Sequence, residues 1–247
     1  MSTEDCPSRT LVNNDIKQFI LRIDFQSPLP TIELVEALKD DFSRVENRKI
    51  VGFEVAVNLP KNTSALSQKD FTDLVLVKDH LTLTLSAKDN SLYIAATSYL
   101  DNTVYKSISD RIIDVCRSTG ECSAKRIGMR YINEIACPKI TAISRIFKKS
   151  YSSVVRNMIS THDTNRAVAI QIRNCDDYTL RIQYGVLNKF FPAVIKNYDL
   201  LLDIDSSTIG EISIDRWSET IKKLNHAAYD SFVNIVTEAY IESKKNA

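Results

Sequence analysis

The chain of 247 residues is 44% hydrophobic and 26% charged, which excludes a largely disordered polypeptide. Thirty-two Lys and Arg against 31 Asp and Glu leave a net charge of +1, so any attraction to nucleic acid or a membrane surface must be local. Five glycines are too few for a glycine-rich phosphate cradle or a dinucleotide fingerprint, and no apolar run reaches the roughly 18 residues of a membrane span.

The first predicted strand is Phe19 to Phe25, whose second half alternates apolar and polar residues. After Pro28 and Pro30, Thr31 is placed to cap a helix carrying Ile32, Val35, Leu38 and Phe42 on one stripe. Ile50 to Asn58 is β-branched and stops before Pro60. Alternation resumes at Leu74 to Val77 and Leu81 to Leu85, and after Asp89-Asn90 at Ser91 to Tyr99. A helix from Thr103 to Ser118 carries Val104, Ile108, Ile112 and Val115 on one face and closes at Gly120.

The same order then begins again. Arg126 to Ile135 reads as a strand, and Ile143, Phe147, Tyr151, Val154 and Met158 mark one face of a helix running from Lys139 to Met158. Strands follow at Ala167 to Ile172, Tyr178 to Tyr184 and Asp199 to Asp205, and a single helix from Ile214 to Ser243 ends the chain. The expected fold is therefore α+β, with pseudo-duplicated β-α-β-β-β-α halves (1–120 and 121–247), mainly antiparallel sheet and a long C-terminal helix. The two halves are expected to pack as one unit.

The cysteines, Cys6, Cys116, Cys122, Cys137 and Cys175, are odd in number and widely spaced, as reduced thiols of a cytoplasmic protein would be. Cys116 and Cys122 flank a helix end and leave a disulfide open. His80, His162 and His226 lie far from one another and from any cysteine pair, so no metal or other cofactor is expected. From the polar, acidic stretch Met1 to Cys6 no export signal is expected.

The run Arg126-Ile-Gly-Met-Arg-Tyr-Ile-Asn133, the later Leu202-Asp203-Ile204-Asp205 and a final helix with Asn225-His226 followed by Phe232 resemble a bacterial family of similar length. That family is sporadically distributed and of unknown function, and it has Leu where Met129 and Asn225 stand here. The resemblance brings no activity. It implies genes that move horizontally, as defence and toxin–antitoxin genes do.

Four constellations carry candidate chemistry. Arg145, Lys148, Lys149 and Arg156, with Lys139, form a basic helix face within a stretch, Ile135 to Thr161, that has no acidic residue. Such a face suits a phosphate backbone or acidic groups elsewhere in the protein. Asp203 and Asp205, two apart on a strand, project to one side about 7 Å apart and are either a metal or acid–base pair or the wet side of a half-buried strand. Arg126 and Arg130 share a strand face on which they hold an anion or neutralise Asp203 and Asp205 across the sheet. Gly128 between them marks a bulge or a close approach. His226 lies beside the apolar stripe Trp217, Ile221, Leu224 and Ala228, where a packing or hydrogen-bonding role is expected. The spacing of that stripe also fits a coiled-coil seam, so the terminal helix is a candidate homodimer interface.

With no convergent catalytic signature, the leading expectation is a non-catalytic cytoplasmic protein. It recognises another protein through a sheet edge or the terminal helix, as an antitoxin-like or defence component would. The alternatives are a nucleic-acid-binding regulator using the basic face and a metal-dependent hydrolase centred on Asp203 and Asp205.

Overall fold

Strict alternation at Phe19, Leu21, Ile23 and Phe25 buries one side of β1 (Ile16–Phe25) in a computed structural model. The structure describes residues 14–58, 63–97, 103–120, 122–159, 164–193, 195 and 198–245; side chains at 52–58, 63–67 and 103–104 are not described, and Cys6, Tyr99 and His162 lie outside. After β1 come α1 (Thr31–Leu38), β2 (Arg44–Asn58), β3 (Thr63–Lys78), β4 (Leu81–Ser86), β5 (Ser91–Ala96) and α2 (Thr103–Ser118). The second half contains β6 (Ser123–Ile135), α3 (Ile143–Ile146), α4 (Lys149–Ile159), β7 (Ala167–Asn174), β8 (Tyr178–Val186), β9 (Leu200–Thr208), the short β10 (Ile212–Ser213), α5 (Trp217–Ile235) and α6 (Glu238–Lys245).

All strand pairs are antiparallel and form one sheet in the order β2-β3-β4-β5-β1-β6-β9-β8-β7, with β10 on the end of β6. The duplication is visible in this order. The first strands of the two halves, β1 and β6, pair at the centre, and each half then adds its last, middle and earlier strands outward. Each half has five strands where four were expected: in the first, the polar stretch before Leu74 belongs to β3 and pairs with β2 along their whole length, and in the second, β10 is added on β6. Pairing of β3 with β4 starts at Leu74, so the β2–β3 ribbon continues beyond the sheet for about 35 Å at ~3.3 Å per residue.

Helices lie on one side. Trp217, Ile221, Leu224, Ala228 and Ile235 of α5 are buried on the side of Phe25, Met129, Tyr131 and Ile204. The Trp217 ring meets Phe25 edge-on at 5.6 Å and donates from Nε1 to the Ile212 carbonyl at 3.0 Å. Each fully buried Leu or Ile side chain contributes about 1.5–3 kcal/mol.

Three helical expectations are corrected. Thr31 does not cap α1; its hydroxyl donates to the Leu29 carbonyl, and Leu34 rather than the exposed Ile32 faces the core with Leu38. The Lys139–Met158 helix and the Ile214–Ser243 helix are both broken, at Phe147 and Val236, and the two breaks pair with each other as an antiparallel bridge. Lys148 N–H donates to the Ile235 carbonyl and Thr237 N–H to the Ile146 carbonyl, each at 2.8 Å. Backbone groups freed at one helix end are thus satisfied by the other.

Candidate functional site

On the side of the sheet away from α5, the central strands present a band of paired charges. Arg130 on β6 grips Asp203 on β9 with both ends of its guanidinium: Nε donates to Oδ1 at 2.8 Å and Nη2 to Oδ2 at 2.7 Å. Arg181 on β8 approaches the same carboxylate at 4.0 Å. Arg126 lies between Asp24 at 3.7 Å and Asp205 at 3.8 Å, and Arg22 pairs with Asp24 and lies over the Tyr93 ring.

Strand register explains the partners. Arg130 and Arg181 sit directly opposite Asp205, yet both lean diagonally to Asp203, two residues along, within reach of long side chains. Asp203 is 2% exposed, so it is not the wet side of a half-buried strand: an arginine on each flanking strand lies against it. The hydrogen bonds to Asp203 hold the Arg130 guanidinium above its usual pKa. Asp205 is less well supplied, and burial pushes its carboxyl above the usual carboxylate range in spite of Arg126 and Arg130 nearby. Gly128 admits no second chain segment. A side chain there would meet the Arg126 guanidinium at 3.2 Å, so the glycine leaves room for that arginine to lie flat.

This arrangement does not suit the metal-centred reading. Both Asp203 oxygens already accept from Arg130, and among the described residues no three His, Cys, Asp or Glu groups converge to hold an ion.

The basic face is also dispersed. Because the helix breaks at Phe147, Lys148 turns inward and donates from Nζ to the Val233 carbonyl near the end of α5, where a cation meets the negative end of the helix dipole. Arg145 stays exposed on α3 and Lys149 and Arg156 on α4. The seam residues Trp217, Ile221, Leu224 and Ala228 are buried in the chain's own core, which leaves them unavailable to a second copy.

His226 is exposed and pairs with Asp230 one helical turn on, at 3.3 Å. It belongs to a cluster that local sequence patterns did not reveal, because the β7–β8 turn and α5 meet only in the folded chain. Lys223 pairs with Asp177 at 2.6 Å and lies near the Tyr178 ring, while a hydrogen bond with Cys175 and burial push the Tyr178 hydroxyl up to about 12. The Lys223–Asp177 pair compensates those two charges within the cluster. Cys116 and Cys122 are free, buried thiols; burial and the neighbouring Cys122 raise the Cys116 thiol far above its ordinary value.

A second feature, not among the expected site residues, is the edge of β7, which no strand pairs among the described residues. This strand ends the sheet, and Ile170 and Ile172 on it are 56% and 62% exposed. The opposite edge, β2, carries Arg44, Glu46, Arg48 and Lys49, charges of the kind that discourage edge pairing. β7 has a single charge, Arg173, and no proline. Among the described residues, no helix is long and apolar enough to cross a membrane. Comparison with protein-family models and with curated proteins finds no match.

Proposed function

We propose that this is a non-catalytic cytoplasmic binding protein that recognises a polypeptide by adding it as a further strand to β7. The observation that carries this reading is a sheet edge that is unpaired among the described residues and bears two exposed isoleucines. Such an edge offers a row of unpaired backbone donors and acceptors for affinity, with alternate side chains for selectivity. The internally paired Arg and Asp band supports a role in contact rather than catalysis. Occupation of the α5 stripe within the chain favours the edge over the terminal helix as the interface.

Resemblance to a sporadically distributed bacterial family supports a regulatory place among defence or toxin–antitoxin components. A nucleic-acid-binding regulator is the second reading, favoured by the exposed Arg145, Lys149 and Arg156.

The test compares the wild-type protein with the Ile170→Lys/Ile172→Lys variant. Recovery of a protein whose purified form binds the wild type at least tenfold more tightly than this variant is expected. Partners that bind both forms equally, or the absence of any specific partner, would overturn the reading.

A further inference from the structure

The chemistry around β7 identifies the kind of strand it takes. From Ala136 to Cys175 the chain has seven basic residues and one acidic residue, Asp163. Lys148 is spent on the end of α5, and Lys139 lies near the start of this stretch. Arg145, Lys149 and Arg156, together with Arg166 just before β7 and Arg173 on it, are exposed, and among the described residues none of the five has an ion-pair partner.

On β7 itself the charge of Arg173 and the exposed isoleucines fall on different sides of the strand. Ile170 and Ile172 stand opposite Gln183 and Arg181, on the side away from α5. Gln171 and Arg173 stand opposite Ile182 and Leu180, on the helical side, where α4 packs on β7 and Arg173 donates to the Tyr151 hydroxyl at 3.3 Å. A strand added here therefore meets apolar groups on one side and cations on the other.

We infer that β7 receives an extended acidic segment of another protein in which acidic and apolar residues alternate. Acidic side chains face Arg173 and the cations of α4, and apolar ones cover Ile170 and Ile172. This inference rests on the strand-addition reading and adds the partner's chemistry to it. Charge decides against a second copy, which would bring the same five cations to the same edge, and like charges facing each other across an interface are penalised. The exposed isoleucines and free backbone decide against nucleic acid, which answers neither.

The experiment titrates the full chain with an end-blocked decapeptide of alternating Glu and Val. Three comparison probes are used: a Lys and Val decapeptide, a Glu and Val decapeptide N-methylated along both backbone edges, and deca-thymidine. The Glu peptide is expected to bind, to weaken as salt rises, and to lose at least tenfold in affinity with Ile170→Lys/Ile172→Lys and with Arg156→Glu/Arg173→Glu. The N-methylated peptide is expected not to bind, and circular dichroism confirms that the variants fold.

Equal binding of the Lys peptide would overturn the acidic partner while leaving strand addition in place. Failure of both alternating peptides would overturn both readings. Deca-thymidine binding as tightly as the Glu peptide, with N-methylation without effect, would reveal a surface for polyanions instead. A dimer in sedimentation that dissociates with Ile170→Lys/Ile172→Lys would make a second copy the occupant.

Discussion

Asp203 owes its burial to Arg130, which satisfies both carboxylate oxygens while keeping its own side chain 39% exposed. Removing one partner of such a pair leaves a charge without compensation, whereas replacing both by apolar residues removes the desolvation cost along with the attraction. Arg130→Ala is expected to lower the unfolding free energy by about 2–3 kcal/mol, below the fully buried range because the arginine is partly hydrated. Arg130→Met/Asp203→Leu is expected to cost less than Arg130→Ala, with urea unfolding as the measurement. Asp205 next to it behaves in the opposite sense. Its folded-state pKa is raised by burial, so between the ordinary and the raised values the folded chain binds a proton that the unfolded chain does not. Its charge therefore costs stability at neutral pH, and the cost is relieved as pH falls through the raised value. Asp205→Asn should be at least as stable as wild type at pH 7, and its advantage should shrink as pH falls through the raised value and be gone below the ordinary carboxylate range near about pH 4. The shared face of Arg126 and Arg130, and that of Asp203 and Asp205, were legible from a period of two. The diagonal choice that buries Asp203 and leaves Asp205 short of partners was not, since it depends on register.

At the scale of elements, β7 pairs with β8 along its whole length and approaches it most closely at Gly185. A Cβ at this position would lie 2.0 Å from the Ala167 carbonyl oxygen and 2.7 Å from Val168 Cα, both backbone atoms that cannot move aside. Gly185→Ala is expected to loosen β7 selectively, seen as proteolytic cleavage within 164–175 under conditions in which β1 and β6 stay intact. Unchanged resistance there would show that the strand is held by other means. The helices show where local reading ends. Ile143, Phe147, Tyr151 and Met158 keep helical spacing, and no glycine or proline marks a stop at Phe147 or Val236. The interruption comes from pairing between segments 89 residues apart, each supplying the hydrogen bonds that the other's helix end lacks. The α2 bounds, by contrast, follow from its apolar stripe and the closing Gly120, whose φ of +102° suits glycine.

For the whole molecule, two related halves joined at β1 and β6 give one broad sheet with its helices on one side. Repetition of strand and helix order was legible because both halves use the same periodicities. Their side-by-side joining was not: the charges of β2 mark an edge, but β7, which also ends the sheet, carries a single charge and no such mark. The partner-binding account requires β7 to be free in the isolated chain. Amide hydrogen exchange of the purified full-length protein tests this most directly. Slow exchange in β1, β6 and β9, with fast exchange at alternate amides of β7, is predicted for an open edge. Protection along β7 as strong as in β9 would show that the edge is already covered and would contradict the account.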